Sequence, residues 1–122
     1  MSTSVLALRG AITLERDEEA HLLDRVERLL REMLGRNGLD HDDIISILFT
    51  ATDDVHSVFP AVAARRMGLG DVPLICAREL DIHGGMPLCV RILMHINTPR
   101  SRGELHHVYL EDARSLRDDL PE

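Results

Sequence analysis

The chain has 122 residues, enough for one domain, and 44% hydrophobic with 29% charged residues is an ordinary globular composition. A formal net charge of −7 argues against a general nucleic-acid binder, which needs a basic face. All 14 basic residues are arginine and the aromatics are Phe49, Phe59 and Tyr109 alone, so the core must be aliphatic.

Residues 5–12 predict a first strand. With a period of two, Leu6, Leu8 and Ile12 share its bulky face, while Val5, Ala7, Arg9 and Ala11 share the other. Asp17 is placed to cap a long helix, with Glu18 and Glu19 in a first turn where the helix dipole favours them. Leu22, Leu23, Val26, Leu29, Leu30, Met33 and Leu34 recur at three and four and form one apolar stripe. Asn37-Gly38 is its stop signal. Residues 44–50 read as a second strand, and the polar run 51–57, with Asp53 and Asp54, as a loop. Pro60 suits the first turn of a short helix running to about Met67. Residues 72–77 predict a third strand and residues 82–87, with Gly84-Gly85, a turn. In the strand 90–97, Val90, Ile92, Met94 and Ile96 make the bulky face and Arg91 points the other way. A last strand holds Tyr109 opposite Val108 and Leu110, and the tail over about 113–122 is too polar to order itself alone.

The order β-α-β-α-β-β-β implies an α+β domain: a mixed sheet with two helices on one face. The other face would be open, and its apolar residues would need a partner, so oligomerisation is expected. No charged segment leads into a long apolar run at the N-terminus and no stretch reaches membrane-spanning length, so the cytoplasm is the expected location. Two cysteines, Cys76 and Cys89, are too few for a disulfide scaffold.

Candidate chemistry narrows to one constellation. The histidines show no metal-ligand spacing, and His106-His107 point to opposite faces of a strand, so no metal is expected. Cys76 reads as a small buried hydrophobe ahead of a nucleophile. Glu79 has a plain alternative in a surface pair with Arg78. Arg9, Arg91 and Tyr109 stand apart. A charge inside a strand needs an anion to meet it, and arginine grips carboxylates. Two such arginines on separate strands, with a phenol, suggest an anion pocket, with structural ion pairs as the alternative.

These residues also sit in a familiar order. Arg9-Gly10-Ala11 with Glu15-Arg16-Asp17, then Thr50-Ala51-Thr52-Asp53 with Ser57-Val58-Phe59-Pro60-Ala61, resembles the opening of the monofunctional AroH-type chorismate mutases. Val72-Pro73 leading to Cys76, Glu79, Asp81, Gly84-Gly85, Cys89 and Arg91 looks like the family's central block. His107-Val108-Tyr109-Leu110-Glu111 and Leu116-Arg117 look like its end. The resemblance covers nearly the whole chain, making residues 1–122 a single domain of that type. It implies rearrangement of chorismate to prephenate without a cofactor, in a homotrimer with a barrel-like core and clefts between subunits.

Carried over residue by residue, Arg9 and Tyr109 would hold a substrate carboxylate. Arg91 would face the ether oxygen and a carboxylate, and Glu79 the ring hydroxyl. Cys76, Phe59 and Leu116, with Leu74 and Ile75, would line the pocket, and Arg65 and Arg117 would stand at its rim. Val62 stands where some relatives carry lysine, and Ile75 where they carry a hydroxyl residue, which alters rim and backbone-adjacent contacts. Two rival functions stay open: a trimeric imine or enamine deaminase of similar overall shape, and a non-enzymatic module that senses an aromatic-pathway carboxylate. Chorismate turnover separates them.

Overall fold

The computed structural model describes residues 2–117. Five strands, β1 (Ser4–Thr13), β2 (Ile44–Ala51), β3 (Leu74–Arg78), β4 (Cys89–Thr98) and β5 (Val108–Leu110), form one mixed sheet in the order β3-β2-β4-β1-β5. The central β4 runs antiparallel to both β1 and β2, while β5 lies parallel to β1 and β3 parallel to β2. A parallel pair needs a crossover. The segment between β2 and β3 supplies it and contains helix α2 (Ala61–Arg66). Helix α1 (Glu19–Arg36) packs with α2 on the same face, as the apolar periodicity predicts. None of the helices among the described residues is long and apolar enough to cross a membrane.

Alternation builds the core. Leu8, Ile12, Ile47, Phe49, Val90, Met94 and Ile96 leave the sheet on the helix side and bury themselves against Leu22, Val26, Leu29, Leu30 and Met33. Each such side chain contributes about 1.5–3 kcal/mol on burial. Gly10 shares that face because α1 lies directly on it: an added Cβ would stand 2.5 Å from Met33 Sδ and 3.3 Å from Leu29 Cδ1.

Two local expectations change. Asp17 does not cap α1. The helix begins two residues later, Glu18 takes the N-cap position without a side-chain bond, and the Asp17 carboxylate accepts the N–H groups of His56 (2.8 Å) and Ser57 (3.1 Å) instead. Of the segment expected to be loose, residues up to Arg117 belong to a 3-10 turn, Glu111–Arg117, in which Ala113 is fully buried; the rest of it lies outside the described residues.

Asn37 joins the end of α1 to the start of β5. Its buried side chain donates to Met33 O (2.8 Å) and His106 O (2.9 Å) and accepts from His106 N (2.7 Å). Asn37→Ala removes all three bonds and should cost about 1–3 kcal/mol, because buried backbone groups lose their partners. The urea midpoint should fall with an unchanged slope. An unchanged midpoint would show that this junction does not hold β5.

Candidate active site

On the face turned away from the helices, the register lines side chains up across the sheet. Ala77, Thr50, Arg91, Ala11 and Tyr109 form one row over all five strands. Ile75, Leu48, Leu93 and Arg9 form the next. In the first row Ala11, fully buried among Cys89, Tyr109 and Ala113, sets Arg91 and Tyr109 on either side of it. This face holds a cleft of about 350 Å³ whose walls include Arg9, Thr50, Arg91, Leu93, Tyr109 and Leu116. Beneath it Ala11, Cys89, Tyr109 and Ala113 pack together, with Leu116 half-buried against them.

Glu79 meets this cleft from the end of β3. Its N–H donates to Ala51 O (2.9 Å), prolonging the β2–β3 ladder by one residue. Its Oε2 lies 3.3 Å from Arg91 Nε and accepts from Thr50 Oγ1 at 2.8 Å. The plain pairing with Arg78 does not form. Neighbours on a strand point to opposite sides, and Arg78 turns instead to Asp53 (3.4 Å) and Thr52 O (3.3 Å). The Arg91 side chain is 44% exposed, so within one chain its charge is not desolvated. Burial pushes the Cys89 thiol above its ordinary range, against the pull of Arg91, so beneath the cleft it stays protonated at neutral pH. The Arg9 N–H donates to His107 Nδ1 (2.9 Å), tying β1 to the segment that leads into β5.

Other expected pocket residues lie elsewhere in the chain. Phe59 and Cys76 line a second cleft of about 620 Å³ together with His56, Ser57, Pro60 and Arg78. Cys76 pairs with Phe49 and therefore sits on the helix side of the sheet, opposite Arg91. The structure thus does not bring Cys76 and Phe59 to Leu116 within a single chain. Ile75 is 64% exposed on the open face, Leu74 packs half-buried against the core, and Arg65 is exposed on α2. Arg117 belongs to the last 3-10 turn, and its side chain lies outside the description. Among the described residues no three His, Cys, Asp or Glu side chains converge as a metal cage. Thr50 and Leu48 are cleft residues that the sequence reading passes over. Their position out of phase with Ile47 and Phe49 was the available signal.

Two carboxylates anchor the loops around these clefts. Asp17 holds the segment that carries Phe59. Glu111, with the left-handed φ of 56°, ends β5 and starts the turn that carries Leu116. It pairs with Arg28 and, at 3.6 Å, with Arg25, while Asp112 N donates to Thr13 Oγ1 (3.0 Å).

The family model for chorismate mutase type I matches residues 5–120. The chain is 38% identical over 117 residues to the chorismate mutase AroH of Bacillus subtilis (strain 168), covering 95% of this chain and 92% of the relative. It is 40% identical over 117 residues to the chorismate mutase AroH of Thermus thermophilus, covering 95% and 96%. The solved chorismate mutase from Clostridium thermocellum superposes with a TM-score of 0.89 at 42% identity, over 90% of this chain and 98% of that one.

The anchoring carboxylates predict an acid response. Burial raises the Asp17 pKa, but the hydrogen bonds from Ser57 and His56 outweigh it, and the carboxyl ionises below its ordinary 3.8. The hydrogen bond from Arg28, helped by the charge of Arg25, outweighs burial at Glu111 and holds it below 4.5. With folded values depressed, the unfolded chain binds more protons in this range, so stability rises with pH. The contribution is full above about pH 5 and is lost as pH falls through the folded values. The melting temperature should therefore drop less between about pH 5 and pH 3 in Asp17→Asn/Glu111→Gln than in the wild type. Parallel curves for the two proteins would contradict this assignment.

Proposed function

The chain belongs to the type I chorismate mutase family, and from that premise we propose how its open-face cleft performs the reaction. It is an isomerase that converts chorismate to prephenate in aromatic amino-acid biosynthesis. The substrate carries two carboxylates, and its C–O bond breaks as a new C–C bond forms within the same molecule. Electrons and atoms balance inside the substrate, so the step calls for no nucleophile, no net proton transfer and no cofactor. What remains for the protein is to hold the reactive conformer and to meet the charge that develops on the ether oxygen.

The observation that carries this reading is the convergence of Arg9, Arg91 and Tyr109 on one cleft, with Glu79 against the inner edge of the Arg91 guanidinium. Arg9 and Tyr109 take a carboxylate. Arg91 takes the ether oxygen and a carboxylate; a fixed cation there stabilises the transition state more than the ground state. Glu79 accepts a hydrogen bond from the ring hydroxyl, and Leu116 supplies an apolar wall.

Phe59, Cys76, Leu74 and Ile75, with Arg65 at the rim, complete the pocket from a neighbouring copy, and Arg117 follows Leu116 at the rim. Two features support that closure. Phe59 is 70% and Ile75 64% exposed, more than large apolar groups usually keep in a finished site. The cationic cleft also lacks a roof within one chain, since Cys76 and Arg91 project from opposite faces. The assembly is a homotrimer with a barrel-like core, acting in the cytoplasm.

Two measurements test this proposal. Arg91→Ala should lower turnover, followed as loss of the chorismate diene absorbance, by at least about 10²–10³-fold, the effect of one lost oxyanion donor. Near wild-type turnover in that variant would refute the mechanism. Light scattering of the native protein should give the mass of three chains, and a catalytically active monomer would refute shared sites.

A further inference from the structure

We infer that Thr50 is a positioning residue that keeps the outer edge of Arg91 open for substrate by fixing Glu79 on its inner edge. The inference rests on the reading above and adds a residue to it. A carboxylate beside an arginine has a stronger alternative to the contact seen here. It can form a two-point fork with the guanidinium, using two parallel N–H···O bonds. In that arrangement Glu79 would occupy terminal N–H groups that a substrate oxygen needs.

The structure shows what opposes this collapse. Thr50 stands directly across from Arg91 in the β2–β4 register and beside Ala77 in the β2–β3 register. Glu79 follows Ala77 by two residues and so emerges on the same side. Thr50 Oγ1 lies 2.8 Å from Glu79 Oε2, the same oxygen that sits 3.3 Å from Arg91 Nε. An ionised carboxylate only accepts, so the hydroxyl donates. The second oxygen, Oε1, accepts the Leu80 N–H at 3.3 Å. Both carboxylate oxygens are therefore held from the β2–β3 side, and only one of them faces Arg91. Threonine suits the task because branching at Cβ stiffens its first torsion and aims the hydroxyl.

Thr50→Val keeps the shape and the strand preference and removes only the donor. It should lower kcat about tenfold, the scale of one hydrogen bond to a charged group. KM should change less, and the melting temperature should be held. Thr50→Ser should restore most of kcat, since the donor returns. In a Glu79→Ala background, Thr50→Val should have no further effect on kcat, because Thr50 acts through Glu79. An impaired Glu79→Ala beside a fully active Thr50→Val would overturn this inference alone. So would a Thr50→Val loss of equal size in both backgrounds. A fully active Glu79→Ala would instead contradict the role given to Glu79 above, and this inference with it.

Discussion

Everything at the site depends on the antiparallel register between β1 and β4. That register sets Ala11 opposite Arg91 and Arg9 opposite Leu93. A slip of one residue would turn Arg91 toward α1 and send Ile92 to solvent. The slip is forbidden by the other face, where Leu8, Ile12, Val90, Met94 and Ile96 are all fully buried. The apolar core therefore does more than stabilise the domain. By burying one side of each strand, it dictates that the arginines share the other side and that Tyr109, paired with Ala11 through β5, joins them. Gly10 belongs to the same constraint, since α1 can press on β1 only where no side chain intervenes.

The electrostatics follow from where the sheet leaves these charges. Arg91 is not walled into the protein; its side chain is 44% exposed and its pair with Glu79 is half open to solvent. Such a pair contributes little to folding. Its value lies in orientation: a guanidinium held by Nε presents a known edge. When an occupied and closed cleft excludes water, the same charge acts in a lower dielectric and its effect on a developing negative charge grows.

Much of this was legible in the residues. The alternation in β1 and β4 separated the two faces, and Arg9, Arg91 and Tyr109 stood out because charge and phenol fell on the side opposite the main aliphatic face. Five strands and two helices followed from periodicity and turn residues. The order and spacing of short motifs carried the family, whereas the residues alone left an anion pocket level with ordinary ion pairs. What stayed illegible was long-range. That Arg91 neighbours Ala11, and Ala11 neighbours Tyr109, depends on pairings between strands some 80–100 positions apart, for which no local signal exists. Glu79 beside Arg78 invites a local pair in the sequence, yet strand alternation parts them. Asp17 has the composition and position of a cap, yet two loop N–H groups claim its carboxylate. Cys76 and Leu116 look like one pocket in the motif order, yet the sheet stands between them in a single chain.

If Arg91 acts as proposed, it binds the transition state better than it binds the substrate. The most direct measurement is calorimetric. It compares the affinity of wild type and Arg91→Ala for two ligands: a stable aromatic ether dicarboxylate that mimics the substrate, and a rigid bicyclic ether dicarboxylate that mimics the rearranging species. The expected result is a far larger loss for the bicyclic ligand, because the proposed cation is aimed at its ether oxygen. Equal losses for both ligands would contradict it, reducing Arg91 to a general carboxylate anchor.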